Sequence, residues 1–370
     1  VLLFAVVVAC AGPPARAVVA VLVISLLFNS VIVILQALNQ GSLGLEALGE
    51  FEFRLGLPGA SILQAADLRY VRPMGLMPHP NLAAGALVVG LLASGALVLS
   101  ERRALRGLGT LAVALGMWAL LLTFSRGAWV ALAAGVFAVL PLLRAHLRRR
   151  ELRVHVAITL GVALAVGLSF FIAYRPLLAA RVEATESVEL RSISDRVVYA
   201  DFAGRSISER PILGVGIGNF PWRTSYYLVE TDFDLRGDNV HHVLLSVWAE
   251  LGVVGLALVV AALIVGIEAG VRRIKTPPPR PGSAQSADFS SPEANPLSAL
   301  PDFREGEQVA DDSTFRVSGW MDERVARVAL LGVVMALLAA GLLDHYPWTL
   351  LHFQLAWWAC VAVVMKRVVA

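Results

Sequence analysis

The sequence is poor in charge, in lysine and in cysteine. Only 16% of its 370 residues are charged, and lysine occurs only at Lys275 and Lys366, whereas about 25% of a soluble domain is charged. The two cysteines, Cys10 and Cys360, lie in apolar runs and therefore provide neither a disulfide framework nor a metal-binding spacing. A formal net charge of +3 gives no reason to expect a nucleic-acid partner.

Apolar residues, in contrast, make up 57% of the chain, and the mean hydropathy is +0.71. They form blocks of roughly 17–25 residues, long enough to cross a hydrocarbon core about 30 Å thick. Eight predicted spans lie near Val18–Leu38, Leu82–Leu99, Leu108–Phe124, Trp129–Leu143, Val154–Tyr174, His242–Ala269, Val325–Leu343 and Trp348–Met365. The pattern predicts an all-α, polytopic transmembrane helical bundle.

The start of the chain favours a ninth span. Val1–Ala11 is apolar and begins without an initiator Met or a small-residue cleavage signature. We therefore expect the sequence to be a fragment of a longer membrane protein with further helices upstream.

Arginine is concentrated in alternate connections between these spans. The clusters are Arg102, Arg103 and Arg106; Arg144, Arg148, Arg149, Arg150 and Arg153; Arg272, Arg273 and Lys275; and Lys366 with Arg367. By the positive-inside rule this side is the cytoplasm. The extracytoplasmic side then receives Asn39–Pro80, Ser125–Gly127, Arg175–Val240 and Asp344–Pro347. We expect a plasma (inner) membrane protein with its functional residues on that outer side.

Composition divides the chain into five regions. These are N-terminal transmembrane helices (1–174), a folded extracytoplasmic or periplasmic loop (175–240), a transmembrane helix (241–271), a linker (272–324) and a C-terminal transmembrane hairpin (325–370). The linker is rich in proline and serine and has no hydrophobic period, so we expect it to be disordered and cytoplasmic.

A single arginine, Arg126, interrupts the short outer turn Ser125–Gly127. One interpretation is a snorkelling side chain that contacts lipid phosphate. The alternative is that its planar guanidinium binds a substrate phosphate in a bidentate manner, which lysine does less well.

The large outer loop offers further cations and a glycine-rich turn. Arg191 and Arg196 lie on one amphipathic helix, predicted around Leu190–Ala203, and either bind an anion or are ordinary surface arginines. Arg210 precedes Gly214, Gly216 and Gly218, which lack the lysine of a phosphate-binding P-loop. We interpret this turn as a close approach of two backbones, or as a nest of amides for an anion.

Adjacent histidines, His241 and His242, precede a long apolar helix at its outer end. An imidazole there could act as a general base on a hydroxyl group, or pack as an interfacial side chain. A metal site is not expected, because adjacent histidines point apart and no nearby residue completes zinc spacing. Glu250 lies deeper in the same helix, so it should face the protein interior and be paired.

Three motifs in this order resemble the O-antigen ligase and polymerase superfamily of integral membrane glycosyltransferases. They are Ser-Arg126-Gly-Ala, Arg196 upstream of Arg-Pro-Ile-Leu-Gly-Val-Gly-Ile-Gly-Asn-Phe, and His241-His-Val-Leu-Leu followed by Glu250-Leu-Gly. His79-Pro80-Asn81 at the start of a span is also similar to the family. The resemblance covers about Pro78 to Gly255, and more loosely the last two spans.

The resemblance implies a GT-C-type, metal-independent enzyme of cell-envelope polysaccharide biosynthesis that uses no cofactor. It would move a glycan with inversion from a polyprenyl carrier, usually undecaprenyl diphosphate, to an acceptor. Arg126 and Arg196 would hold the diphosphate, with Arg210 and then Arg191 as weaker candidates. His241 would be the base, although the family usually has Asn where this chain has His242, so either histidine remains possible.

Several functions remain open from the sequence. A ligase, which attaches the glycan to lipid A core of lipopolysaccharide, to another glycolipid or to protein, is favoured slightly over a polymerase. A transporter for anionic lipids or glycans would show paired broken helices in internal repeats, and we find no convincing repeat. A scaffolding protein would explain the linker but not the arginine and histidine motifs.

Overall fold

The computed structural model describes residues 12–57, 59–65, 68–144, 146–183, 187–229, 239–275 and 321–366. Within helical residues 180–183 and 187–193, only the backbone is described. The expected ninth span, Val1–Ala11, and most of the expected linker, at 276–320, lie outside the described residues.

Helices dominate the described residues. They are α1 (Ala15–Asn39), α2 (Pro80–Val98), α3 (Arg103–Leu122), α4 (Arg126–Leu143), α5 (Arg150–Ala173), α6 (Arg175–Glu183), α7 (Ser187–Glu209), α8 (Phe220–Val229), α9 (Val243–Lys275), α10 (Glu323–Gly341), α11 (Tyr346–Thr349) and α12 (Leu351–Met365). A small antiparallel hairpin of β1 (Ile62–Ala65) and β2 (Leu68–Val71) lies between α1 and α2.

Seven of these helices, α1 to α5, α9 and α10, are long and apolar enough to cross a membrane. The all-α, polytopic bundle expected from the sequence is therefore confirmed. The eighth predicted span, Trp348–Met365, is divided instead, because Leu350 is extended and separates α11 from the 15-residue α12. The side chain of Gln354 donates a hydrogen bond to the backbone oxygen of Trp348 across this break.

Helices α2 and α10 form the centre of the bundle, and α5 and α9 form its periphery. In the apolar windows of α2 and α10, 78% of residues are buried, whereas the values for α5 and α9 are 11% and 17%. Small residues allow close contact at the centre: a Cβ atom on Gly135 of α4 would lie 2.7 Å from the backbone oxygen of Gly332. Such contacts are how membrane helices pack in the absence of a hydrophobic driving force.

The four connections that we expect on the outer side meet at one end of the bundle, here called the site end. Tyr70 of the first connection donates to the backbone oxygen of Leu122, at the turn before Arg126. Asp344 of the last connection contacts His241, which follows the large loop. The other connections meet at the opposite end, here called the arginine end. There Arg149, for example, forms an ion pair with Glu101.

Candidate active site

His241 and Asp344 form a pair at the site end. His241 lies just before α9, and its Nδ1 is 3.3 Å from Oδ1 of Asp344 in the turn between α10 and α11. Because an ionised carboxylate only accepts hydrogen bonds, Nδ1 of His241 carries the proton. In the neutral imidazole Nε2 is then the unprotonated nitrogen, which can accept a proton from another group.

Asp344 is held by three donors. Besides His241, the backbone N–H of His345 donates to it over 2.8 Å and the side-chain amide of Asn81 over 3.3 Å. Burial would raise the pKa of Asp344, but the hydrogen bond from His241 and the nearby imidazole charges outweigh it and lower the pKa to about 2. Asp344 is therefore an anion at neutral pH and a fixed acceptor for His241.

Asn81 is in turn fixed by Arg72, a buried arginine that follows β2. The Arg72 guanidinium donates to Asn81 Oδ1 (2.9 Å), to Ser61 Oγ (3.1 Å) and to the backbone oxygen of Thr123 (2.7 Å). Loss of solvent and the Arg72 charge lower the pKa of His79, the N-cap of α2, to about 4. Arg72 thus links the first outer connection, α2 and the turn before α4.

His242 has a different environment from His241. Its Nδ1 accepts a hydrogen bond from the backbone N–H of Leu245, over 3.3 Å, in the first turn of α9. This is an N-capping interaction. Within the described part of the chain, His241 has a carboxylate partner and His242 has none, and this favours His241 as the base.

The helix that carries Arg196, α7, contacts His241 through Tyr199. The ring of Tyr199 lies 6.2 Å from the imidazole of His241, centre to centre. Arg196 is exposed and precedes Tyr199 by three residues, so both lie on one face of α7. The helix therefore presents a cation within one turn of the residue that contacts His241.

Arg126 begins α4, beside the turn that contains Asp344. A Cβ atom on the next residue, Gly127, would lie 3.6 Å from Cβ of Leu343. The preceding residue, Phe124, has a left-handed backbone with φ of 51°. Its fully buried ring packs 5.2 Å from the rings of Tyr70 and Phe170, which holds the turn in place.

Arg210 is exposed at the end of α7, where the glycine-rich turn begins. The turn packs on α9 where α9 is broken at Gly252, which has φ of 66°. Val215 N donates to Ala249 O, Gly216 N to Glu250 O and Val253 N to Pro211 O, each over 2.9 Å. The expected close approach of two backbones is thus present, and it satisfies the groups that the break in α9 exposes.

Glu250 is buried at this contact. Its carboxylate accepts hydrogen bonds from the backbone N–H groups of Gly218 and Phe220 and from the side chain of Trp348. The amides of the glycine-rich turn thus bind an anion of the protein itself. Glu250 faces the interior and is paired, as expected, and it joins the turn to α11.

One expected site residue has no described side chain, and two residues of the site were not expected from the sequence. Arg191 lies in α7, but its side chain is outside the described part of the structure. Asp344 and His345 do not stand out in the sequence, where only a short outer turn is expected. The available signal is the run Asp-His-Tyr-Pro-Trp-Thr between two apolar spans.

His241, Asp344 and His345 could also hold a metal ion, since one ligand atom from each lies within 4.8 Å of the others. The sequence argument against a metal relied on the lack of a nearby carboxylate, yet folding brings Asp344 to His241 from 103 residues away. Nδ1 of His345 is engaged with Thr349 Oγ1 over 2.8 Å, which leaves Nε2 as the ligand atom. The His241–Asp344 hydrogen bond satisfies both groups without an ion.

An apolar cavity of about 300 Å³ lies beside the pair, towards the membrane. Its lining includes Val243 and Leu244, which follow the two histidines, and Leu342, Pro347 and Trp348, which flank Asp344. The site thus combines polar and cationic groups with an apolar space at the end of the bundle.

Comparison with known protein families gives a match that covers part of the chain. Residues 111–260 match the family described as O-antigen ligase, and this stretch contains Arg126, Arg196, Arg210 and His241. No curated protein sequence matches the chain. The family indicates a glycosyltransferase-type enzyme, and the seven apolar helices indicate a multi-pass membrane protein. Residues 111–260 therefore belong to the O-antigen ligase and polymerase superfamily, and Arg72, Asn81 and Asp344 lie outside this stretch.

Proposed function

We propose that this protein transfers a glycan from a polyprenyl (undecaprenyl) diphosphate carrier to an acceptor hydroxyl, as an O-antigen ligase. The reaction would take place on the extracytoplasmic face of the plasma membrane, in a GT-C-like bundle. The acceptor would be a lipid such as lipid A core, another glycan or a protein. The observation that carries the proposal is the His241–Asp344 pair next to an apolar cavity, with His241 inside the region that matches the O-antigen ligase family.

In the proposed mechanism His241 acts as the general base. Asp344 fixes the proton on Nδ1, so Nε2 accepts the proton of the acceptor hydroxyl. The hydroxyl oxygen attacks the anomeric carbon from the face opposite the diphosphate, and the bond between that carbon and the diphosphate oxygen breaks. The configuration is inverted, and the carrier diphosphate leaves with the bonding electrons.

Arg126 and Arg196 would stabilise the charge that develops on the diphosphate, with Arg210 and Arg191 in weaker supporting roles. Preplaced guanidinium groups serve this purpose without a metal ion, because they present parallel donors to phosphate oxygens. The isoprenoid chain of the carrier matches the apolar cavity beside the pair, since this space is lined almost entirely by hydrocarbon. Asp344, Asn81 and Arg72 are positioning residues in this account.

The test is transfer by the purified protein in liposomes that contain a polyprenyl diphosphate-linked glycan, with EDTA present. We expect transfer that resists EDTA, with one glycan block added to each acceptor. A ladder of chain lengths would identify a polymerase instead. Loss of transfer in EDTA and its restoration by zinc would show that the His241, Asp344 and His345 group works as a metal site. Carrier-linked glycan that crosses the bilayer without transfer would indicate a transporter.

A further inference from the structure

A second apolar cavity, of about 270 Å³, lies in the half of the bundle near the arginine end. Its walls come from the ends of α2 and α4 and the beginnings of α5 and α10, together with the middle of α3. Lining residues include Leu99, Val136, Leu140, Leu147, Val156 and Leu160. We call this space the α4–α5 cleft. The proposed reaction makes no use of it.

The cleft exists because two consecutive helices, α4 and α5, make few contacts with each other at this end of the bundle. Helix α4 packs on α2 and α10, whereas α5 packs on α3. Side chains at the opening, such as Val136, Leu140 and Leu160, are exposed and apolar. At membrane depth an exposed apolar gap is filled by hydrocarbon, because the walls of an empty gap have no van der Waals partner on one side.

The polar groups at the cleft already have partners in the protein. Thr159 contributes to the lining, and its hydroxyl donates to the backbone oxygen of His155 over 3.0 Å and contacts Thr110 Oγ1 at 2.9 Å. The wall therefore suits an acyl chain better than a polar ligand.

The mouth of the cleft is strongly basic. Arg144 and Arg148 are exposed, and each directly follows a lining residue, Leu143 and Leu147. Arg102 and Arg103, also exposed, lie on the other side of the mouth after Leu99. Of the acidic residues here, Glu101 is paired with Arg149 at 2.6 Å and Glu151 lies 3.8 Å from Arg106. The mouth therefore retains a net positive charge.

We propose that the α4–α5 cleft binds one anionic phospholipid, with an acyl chain in the cavity and the headgroup phosphate at Arg144 and Arg148. Guanidinium groups at the membrane surface bind lipid phosphate, and a basic pocket between transmembrane helices favours an anionic headgroup. The lipid joins α5, the least buried of the candidate spans, to the rest of the bundle. This site differs from the proposed donor site in location and in ligand.

The experiment measures lipid retained by the purified protein by native mass spectrometry, after incubation with equal amounts of phosphatidylglycerol and phosphatidylcholine. We expect one tightly held phosphatidylglycerol. The double variant R144Q/R148Q should bind it about 30-fold more weakly, because it removes both guanidinium groups that hold the phosphate. The matched control R272Q/K275Q removes two exposed cations from the same end of the bundle, away from the cleft, and should retain the lipid.

A second variant tests the acyl chain. Ala163→Phe places a ring in the cleft, and we expect the retained lipid to be lost while the arginines remain. Equal retention of both phospholipids, equal retention by R144Q/R148Q and the control, or full retention by Ala163→Phe would each overturn the proposal. Because this experiment measures lipid binding, a negative result would be distinguishable from failure of the proposed transferase activity.

Discussion

The two ends of the bundle differ in how their charged residues connect the chain. At the site end, the buried Arg72 and the half-buried Asp344 connect separate parts of the chain through hydrogen bonds. At the arginine end, Arg106 and Arg327 are buried as well, but other arginines form ion pairs between exposed side chains, such as Arg272–Glu268. A buried charge is costly unless its partners are fixed, so Arg72 depends on precise geometry, whereas the exposed arginines of the arginine end need only provide positive charge.

The same contrast separates the two cavities. The cavity at the site end adjoins a paired histidine and carboxylate and can serve chemistry. The α4–α5 cleft adjoins exposed arginines and can serve lipid attachment. Substitutions at the two ends should therefore have different effects on transfer and on stability.

The largest effect is expected at His241. His241→Asn removes the proposed base and should reduce the transfer rate by about 10²- to 10⁴-fold. The matched variant His242→Asn should keep nearly full activity, because asparagine can still cap α9. Initial rates in proteoliposomes measure both. Full activity of His241→Asn, or loss only in His242→Asn, would reject the assignment of the base.

The free energy of unfolding should fall sharply when a methyl group is added where the glycine-rich turn contacts α9. In Gly252→Ala the new Cβ would lie 2.0 Å from the backbone oxygen of Ile212, so we expect a loss of about 4 kcal/mol or more in the free energy of unfolding. Gly218→Ala, with φ of 72° but open space, should cost only about 1–2 kcal/mol. The midpoints of thermal unfolding in detergent measure the difference between the two variants. Equal midpoints would contradict the close packing of the glycine-rich turn on α9.

A buried arginine of the site end should contribute more to stability than an exposed arginine of the arginine end. Arg72→Gln breaks hydrogen bonds to three partners at a buried position and should cost about 3 kcal/mol in the free energy of unfolding. Arg272→Gln removes an exposed ion pair and should cost less than about 1 kcal/mol. Thermal unfolding of both variants measures the difference. A larger shift for Arg272→Gln would show that the ends do not differ as described.

A smaller effect is expected for Arg126→Lys. It keeps the charge but loses the planar fork of donors, and we expect transfer to fall about tenfold. Arg324→Lys makes the same change at an exposed position of the arginine end and should leave the rate unchanged. If both variants transfer at the wild-type rate, Arg126 does not bind the diphosphate in a bidentate manner.

Much of the fold was predictable because a long apolar run has few alternatives in a membrane. Helices α1 to α5, α9 and α10 begin and end close to the predicted residues. The division of the last span was not predictable, since it depends on the extended Leu350 and on a side-chain contact of Gln354. The hydropathy of the segment does not reveal such a local break.

The site was predictable only where a local pattern carried it. Arg126, Arg196 and His241 stand out in short motifs, and Glu250 as an acid in an apolar helix. Asp344 could not be assigned to His241, because the two meet across 103 residues of chain through the packing of α9 and α10. The role of Arg72 is equally non-local, since its partners include the backbone oxygen of Thr123.

The most direct test of the central claim compares two aspartates at the opposite ends. Asp344→Asn removes the anion that fixes the proton on His241, whereas Asp322→Asn changes the N-cap of α10 at the arginine end. The measurement is the rate of glycan transfer by each variant in the same proteoliposomes. We predict that the transfer rate falls about 100-fold or more in Asp344→Asn and changes little in Asp322→Asn. Equal rates for the two variants would contradict it.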